Sequence, residues 1–237
     1  MGSGGVTRAV LCILPGLDGT ARLLTPFLDA VTPAFASTHA IAYPHDVPMD
    51  YAALDAYVRA RLPQDAPFVL LGESFSGPVA IAIAAKPPPN LIGLALSTTF
   101  ARAPVPWASP FAPLTSFAPV RAAPMPLLSA ILLGRWATPA LRRDLSAALD
   151  AVAPDVLRAR AAAAMRVDTT ARLADVAVPT LCLRARHDRL LRASATRELL
   201  DGLRDAREVA IDGPHLLLQT RTDAAAGEVM RIAAALG

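Results

Sequence analysis

Six short apolar runs, separated by longer segments of helical pattern, constrain the fold of this chain more than any other feature. The runs are apolar on both faces rather than alternating, which is typical of parallel strands covered by helices on both sides. Strands that alternate with helices in this way predict a parallel, doubly wound α/β sheet. The predicted strands are Ala9–Leu14, His39–Tyr43, Phe68–Leu71, Leu91–Leu96, Thr180–Leu183 and Glu208–Ile211. The predicted helices between and after them are about Ala21–Ala30, Tyr51–Arg61, Gly77–Ala85, Ala193–Gly202 and Ala224–Leu236.

The alternation is interrupted once, between Phe100 and about Asp175, where no run predicts a strand. Prolines crowd the first part of this segment, and helical pattern resumes at Leu127–Trp136 and from Ala140 to Arg166. An insertion of this length is too long for a structureless loop. We therefore expect an α/β core from residues 6–99 and 176–237, and a helical cap with an apolar underside from residues 100–175.

Composition excludes several classes of protein. Of the 237 residues, 54% are hydrophobic and 18% charged, which rules out an intrinsically disordered chain. The net charge of +3 comes from scattered arginines, with Lys86 as the only lysine, so no basic run predicts a nucleic-acid partner. Cys12 and Cys182 lie in predicted strands and are expected to be buried thiols. We find no signal peptide and no membrane-spanning run, and therefore expect a soluble, cytoplasmic protein.

The strongest local signal is the hexapeptide GESFSG at residues 72–77, between a predicted strand and a predicted helix. Gly72 and Ser76 place small residues two positions before and after Ser74, as a strained strand–turn–helix connection requires. Such a turn exposes the Ser74 hydroxyl at a helix N-terminus, where free N–H groups favour developing negative charge. The pattern differs from G-x-S-x-G only because Ser76 stands in place of the final glycine. The alternative is a chance turn rich in glycine and serine.

A nucleophilic serine needs a base, and the base needs an orienting acid. His215 follows the last predicted strand, and Asp188 follows the one before it. Because catalytic groups in open α/β sheets gather at the carboxyl ends of the strands, these residues should meet Ser74 there. The sequence therefore predicts Ser74 as nucleophile, Asp188 as acid and His215 as base, a solvated loop histidine being the alternative for His215. The other histidines, which also lie near predicted strands, are His39, His45 and His187.

The loop LPGLDGT at residues 14–20 follows the first predicted strand and contains two glycines. Its backbone can turn sharply and present N–H groups to an oxyanion. We expect the N–H of Leu17 and the N–H of Phe75, just past the nucleophile, to be the two donors. The competing interpretation is a phosphate-binding loop, but the segment lacks both G-x-G-x-x-G and the lysine of a P-loop.

These motifs resemble those of the α/β-hydrolases, and among them the small bacterial carboxylesterases of the pimeloyl-ACP methyl ester esterase type. The resemblance covers essentially the whole chain from Arg8. It implies a serine hydrolase that cleaves carboxylic esters of short or medium acyl chains through an acyl-enzyme, without a metal or organic cofactor. Serine at position 74 argues against dehalogenases and epoxide hydrolases, whose nucleophile is aspartate. The site residues that it implies are Ser74, Asp188, His215, Leu17 and Phe75.

The resemblance also implies a wholly parallel core of about six strands, without the opening antiparallel hairpin of the superfamily. In that strand order Cys12 and Cys182 would not lie on neighbouring strands, which argues against a disulfide. The sequence departs from the family at two positions. Pro15 stands where many relatives have the histidine of a His-Gly pair, and Ser76 replaces glycine. Neither departure removes a reacting group.

Alternative functions remain open from the sequence alone. A thioesterase, an acyltransferase or an acyl-carrier methyl ester esterase would use the same three residues. A non-hydrolytic ligand-binding protein on this fold is a further alternative, because fold does not determine function.

Substrate contacts are expected from residues 100–175. Large apolar side chains there suggest an acyl pocket, and packing of the segment onto the core is the alternative. Arg142, Arg143, Arg158 and Arg160 would suit docking of an acyl-carrier protein, with a solvated helix face as the alternative. A small-molecule ester is the expected partner, and the oligomeric state is left open. The candidate pocket residues are Trp107, Phe111, Phe117, Leu132 and Trp136.

Overall fold

The computed structural model describes residues 9–104 and 124–236. Its sheet is open and has six strands, all parallel, in the order β2-β1-β3-β4-β5-β6. This confirms the parallel α/β architecture that the apolar runs predict. The strands are β1 (Val10–Leu14), β2 (Ser37–Ala40), β3 (Phe68–Glu73), β4 (Leu91–Ser97), β5 (Thr180–Ala185) and β6 (Ala206–Ile211).

Helices cover both faces of the sheet. One face packs against α2 (Tyr51–Arg59), α3 (Gly77–Ala85) and α7 (Ala193–Gly202). The other packs against α1 (Thr25–Val31) and α9 (Thr222–Leu236). Since both faces are covered, every residue of β1 and β3 is buried, which explains the continuous apolar runs.

The chain leaves the sheet between β4 and β5, and we call residues 100–175 the insertion. From residue 124 onward it forms three helices, α4 (Met125–Leu132), α5 (Pro139–Asp150) and α6 (Pro154–Ala164). The single helical pattern predicted from residue 140 to 166 is therefore two helices, because Pro154 begins a new one. The two ends of the insertion are joined by an antiparallel bridge between Arg102 and Asp168.

Strand β2 is displaced from its predicted position. The sequence predicts His39–Tyr43, whereas the ladder with β1 runs over Ser37–Ala40. Ile41 and Tyr43 are buried beyond the end of the strand, and the Tyr43 N–H donates to the Gly19 carbonyl at 2.8 Å. The apolar pattern thus marked burial in the core rather than pairing in the sheet.

The two cysteines are free, buried thiols. Cys12 lies on β1 and Cys182 on β5, with β3 and β4 between them. Burial raises the pKa of each thiol to about 12, so both are protonated at neutral pH. This agrees with the prediction of two small buried residues that form no disulfide.

Two helical elements differ from the sequence prediction. The short helix α8 (Leu217–Thr220) lies between β6 and α9 and was not predicted from the sequence. A turn of 3-10 helix at Arg22–Leu24 precedes α1, where the sequence predicts one continuous helix. Within residues 9–104 and 124–236, no helix is both long enough and apolar enough to cross a membrane.

Candidate active site

Ser74 lies on the tight turn between β3 and α3 and has a φ of 47°, a backbone angle that is strained for any residue but glycine. The turn brings backbones close together. A Cβ at Gly72 would lie 2.8 Å from that of Ala80, and one at Gly77 would overlap Thr99. Thr99 also donates its hydroxyl to the Ser74 carbonyl. The small residues of the hexapeptide therefore allow the turn to form.

Three loops at the carboxyl edge of the sheet bring Ser74, His215 and Asp188 together. Ser74 Oγ lies 2.8 Å from His215 Nε2, and His215 Nδ1 lies 2.8 Å from Asp188 Oδ2. The His215 and Asp188 side chains are 2% and 6% exposed. Asp188 Oδ1 accepts the N–H groups of Leu190 and Leu191, both at 2.8 Å. The carboxylate is thereby fixed as an acceptor for the imidazole N–H, and Nε2 is left free to accept a proton.

The other histidines lie elsewhere in the described structure. His39 Nε2 is 3.1 Å from the hydroxyl of Ser37 on the edge strand β2. His187 Nε2 is 2.7 Å from Asp212 Oδ1, and both side chains are about half exposed. His45 is exposed. Of the four histidines, only His215 contacts Ser74 among the described residues.

The side chain of Ser76 forms hydrogen bonds of its own. Its hydroxyl is fully buried and donates to the Pro15 carbonyl, so Tyr43, whose hydroxyl lies 2.6 Å away, must donate to Ser76 Oγ. The two departures from the family pattern, Pro15 and Ser76, are therefore in contact with each other. They connect the turn that carries Ser74 to the loop after β1, a role that no motif in the sequence indicated.

The two amides predicted as oxyanion donors lie in backbones that are anchored at their carbonyls. The Phe75 carbonyl accepts the hydroxyl of Tyr51 at 3.0 Å, and the two rings stack with centroids 4.9 Å apart. The Leu17 carbonyl accepts Arg160 Nη1 at 3.0 Å. The role of both N–H groups as donors stays a prediction.

Arg160 on α6 is 1% exposed and reaches under the loop after β1. Its Nη1 donates to the carbonyls of Leu17 (3.0 Å) and Asp18 (2.6 Å), and its Nη2 donates to that of Pro44 (2.8 Å). Burial lowers the pKa of Arg160, while Asp18 and Tyr43 favour its charged form. Both interpretations of this residue, a docking arginine and a solvated helix face, are wrong, because the guanidinium satisfies three backbone carbonyls in the interior.

The remaining candidate docking arginines do not share one helix. Arg142 and Arg143 are exposed on α5, and Arg158 is half-buried on α6. Docking of an acyl-carrier protein at these residues stays a prediction.

The candidate pocket residues are only partly described. The carbonyl of Leu132 accepts the N–H of Leu216, the residue after His215, at 3.0 Å. The Trp136 ring lies 5.4 Å from that of His187. Leu132 and Trp136 stay predicted pocket residues. The other three, Trp107, Phe111 and Phe117, lie outside the described residues.

A cavity of about 620 Å³ opens beside Asp188, between the ends of β4 and β5 and the start of α7. Thr99, which holds the Ser74 carbonyl, forms part of its wall. Among the described residues that line it, Asp188 is the only acidic one, and four are arginines. No motif in the sequence indicated this cavity, because its described lining comes from two distant segments, residues 98–104 and 184–196.

Glu73, the residue before Ser74, is a buried carboxyl under the loop after β1. Gln219 Nε2 donates to its Oε1 at 2.8 Å, and the Gly16 N–H donates to the same carboxyl. Burial raises the pKa of Glu73 to about 7, the repulsion of Asp18 adds to the rise, and the hydrogen bonds and His215 oppose it. No motif in the sequence indicated a role for this residue.

The replacement Glu73→Gln is expected to remove a pH dependence of stability. The pKa of Glu73 is about 7 in the folded protein, against an ordinary value of 4.5. Between pH 4.5 and about pH 7 the folded state therefore binds more protons than the unfolded chain. The free energy of unfolding therefore falls as the pH rises through this window. At about pH 8 the buried carboxylate costs on the order of 3 kcal/mol. An amide removes this cost and can donate to Gln219 Oε1, which has no partner in the described structure.

Urea unfolding of wild type and Glu73→Gln at about pH 5 and pH 8 measures this effect. The variant should be more stable than the wild type at the higher pH, and the difference should shrink at the lower pH. Asp46→Asn, at an exposed carboxylate, is the control and should show no such change. The prediction would be contradicted if the free energies of unfolding of Glu73→Gln and wild type differed by the same amount at both pH values.

Comparison with known proteins supports the fold directly. The structure is similar to the enol-lactonase from Burkholderia xenovorans LB400, with 17% identity, a TM-score of 0.78 and coverage of 94% of this chain and 90% of that one. It is also similar to a thermophilic esterase from Thermogutta terrifontis, solved with malate bound (19% identity, TM-score 0.79, coverage 96% and 90%). The proline iminopeptidase of Mycobacterium smegmatis matches with 18% identity, a TM-score of 0.71 and coverage of 95% and 89%. At these identities the likeness establishes the α/β-hydrolase fold and no particular substrate.

The sequence itself matches no curated protein. It does match the family model Hydrolase_4, described as "Serine aminopeptidase, S33", over residues 37–215. That range is well over half of the chain and runs from β2 to His215. The chain therefore belongs to the Hydrolase_4 family of α/β-hydrolases.

Proposed function

We propose that this hydrolase cleaves carboxylic esters of short or medium acyl chains through a Ser-His-Asp triad and an acyl-enzyme. The observation that carries the proposal is the line of two 2.8 Å contacts from Ser74 through His215 to Asp188. The strained turn at Ser74 also supports it, because such strain is kept where it serves a site.

The proposed reaction has two acyl-transfer steps. His215 Nε2 takes the hydroxyl proton as Ser74 Oγ attacks the ester carbonyl, and Asp188 stabilises the resulting imidazolium. The N–H groups of Leu17 and Phe75 donate to the oxyanion. The C–O bond of the ester then breaks, and the alcohol leaves with the proton from His215. Water repeats the sequence on the acyl-enzyme and releases the acid.

The charge near the site favours an ester over the N-terminus of a peptide. An aminopeptidase substrate carries a free ammonium group, which a carboxylate would best recognise. Among the described residues that line the neighbouring cavity, only Asp188 is acidic, and it is already bonded to His215. The three arginines there that have no carboxylate partner in the described structure would repel the ammonium group.

The insertion is proposed to act as a cap over this site. Two contacts support this role. Arg160 of α6 binds the loop that carries Leu17, and the Leu132 carbonyl at the end of α4 binds the backbone next to His215.

Hydrolysis of a p-nitrophenyl ester series, from acetate to palmitate, together with labelling by a fluorophosphonate, tests the proposal. We expect a clear optimum of chain length, and peptide mapping should place the phosphonyl adduct on Ser74. Matched acyl thioesters, with and without an added alcohol as acceptor, distinguish hydrolysis of esters from thioester cleavage or acyl transfer. An adduct on another residue, or no turnover of any ester, would overturn the proposal.

A further inference from the structure

The cavity beside Asp188 carries positive charge that the proposed mechanism does not use. Three of its arginines, Arg186, Arg189 and Arg192, have no carboxylate partner in the described part of the chain, which contains every aspartate and glutamate of the sequence. Arg186 and Arg189 donate instead to the backbone carbonyls of Ala210 (3.2 Å) and Ala130 (3.0 Å). Their charges are therefore not neutralised by the protein.

The acids that lie nearby are already engaged. The fourth arginine of the wall, Arg184, is paired with Glu208. Asp188 accepts one hydrogen bond from His215 and two from backbone N–H groups. The described wall therefore carries four guanidinium groups, against the carboxylates of Asp188 and of Glu208, which pairs with Arg184. This excess of positive charge would attract an anion.

Helix α7 adds to this field at the same wall. The ten-residue helix begins at Ala193, and the side chain of its N-cap residue, Arg192, makes no capping hydrogen bond. The first backbone N–H groups of a helix have no partner inside the helix, and they carry a partial positive charge. Ala193 itself lines the cavity, so these donors lie at its edge.

A second, independent observation comes from Thr98, at the end of β4. Thr98 lines the cavity and is 4% exposed, yet its hydroxyl has no hydrogen-bond partner among the described residues. Its φ is 43°, which is strained for a β-branched residue. A buried hydroxyl without a partner and a strained backbone both cost free energy, and backbone strain of this kind clusters at functional sites.

We propose that this cavity binds a carboxylate or phosphate group carried by the substrate, so that the enzyme prefers acidic esters to neutral ones. Guanidinium groups bind such anions through paired hydrogen bonds. Thr99 places the cavity next to the nucleophile, since it lines the wall and holds the Ser74 carbonyl. The substrate preference rests on the proposed esterase function, whereas anion binding does not.

Matched esters test the preference. Monoethyl adipate carries a free carboxylate, and ethyl hexanoate is its neutral counterpart of equal chain length. We expect the wild type to hydrolyse the acidic ester with the higher kcat/KM. Arg192→Gln should lower the ratio of kcat/KM for the acidic ester to kcat/KM for the neutral ester about tenfold. Arg197→Gln is the control, because Arg197 is exposed on the same helix but does not line this cavity. Equal kcat/KM for the two esters in the wild type would overturn the substrate preference.

Anion binding is measured separately by calorimetry on the Ser74→Ala protein, with sodium glutarate and inorganic phosphate as probes. Saturable binding to Ser74→Ala that is weaker in the double variant Ser74→Ala/Arg192→Gln supports the site. The anion that binds more tightly shows whether the site prefers a carboxylate or a phosphate. If neither anion binds to the Ser74→Ala protein while the wild type hydrolyses neutral esters, the proposed anion site is wrong and the esterase function stands. If an anion binds but the wild type hydrolyses no ester, the proposed function fails alone.

Discussion

Ser74→Ala is expected to lower kcat for ester hydrolysis by roughly 10⁴- to 10⁶-fold while the protein stays folded. The substitution removes the oxygen that attacks the carbonyl, so His215 has no proton to accept. The proposed oxyanion donors are not altered and should leave a residual rate above that of water. Alanine is no larger than serine, and the main loss to the folded state is one hydrogen bond to His215. Steady-state kinetics with a p-nitrophenyl ester, together with a thermal melt, measures both effects.

A matched control is available in the same chain. Ser37 also lies next to a histidine, His39, at 3.1 Å, but on the edge strand β2 and away from Asp188. Ser37→Ala should keep full activity. The double variant Ser74→Ala/His215→Ala should be no slower than Ser74→Ala alone, because the two residues act as one unit. Activity close to wild type in folded Ser74→Ala would rule out this nucleophile.

Arg160→Met is expected to lower the free energy of unfolding by roughly 3–5 kcal/mol. Methionine fills much of the space but leaves the carbonyls of Leu17, Asp18 and Pro44 without their donor in the interior. Loss of this contact also frees the loop that presents the Leu17 N–H, so kcat should fall about tenfold or more while KM changes less. Urea unfolding measures the first effect, and ester kinetics the second.

Arg158→Met is the control for this prediction, since Arg158 lies on the same helix but outside these contacts. It should change stability by less than about 1 kcal/mol. Arg160→Lys provides a milder test, because a single ammonium group cannot reach all three carbonyls and should give an intermediate loss. Equal stability and equal kcat in wild type, Arg160→Lys and Arg160→Met would show that the guanidinium does not hold the loop.

The order and type of the sheet elements could be predicted because their signals are local. A strand covered on both faces is apolar along its whole length, and β1, β3, β4 and β5 were recognised by this pattern. The edge strand β2 lacks it. Ser37–Ala40 is half exposed, whereas Ile41 and Tyr43 are buried. The predicted strand was therefore placed too late in the chain, on the more apolar residues.

The candidate triad could also be predicted, because each member directly follows a strand and parallel strands end at one edge. The contacts that support the site could not, because they join distant segments. Ser76 meets Pro15 and Glu73 meets Gln219 only once the sheet is formed. The sequence did contain one signal for Arg160. It lies four residues after Val156, and residues at this spacing share one face of a helix; in the structure both are buried.

Gly19 couples the structure of the insertion to that of the loop after β1. Its φ is 67°, and a Cβ there would overlap the guanidinium of Arg160. A side chain at position 19 would therefore force the guanidinium to shift away from the carbonyls that it binds, and an insertion without an arginine at this place would leave those carbonyls without their donor. The two segments thus depend on each other structurally, although more than a hundred residues separate them. Grafting a cap from another hydrolase onto this core therefore requires the loop after β1 to be exchanged with it.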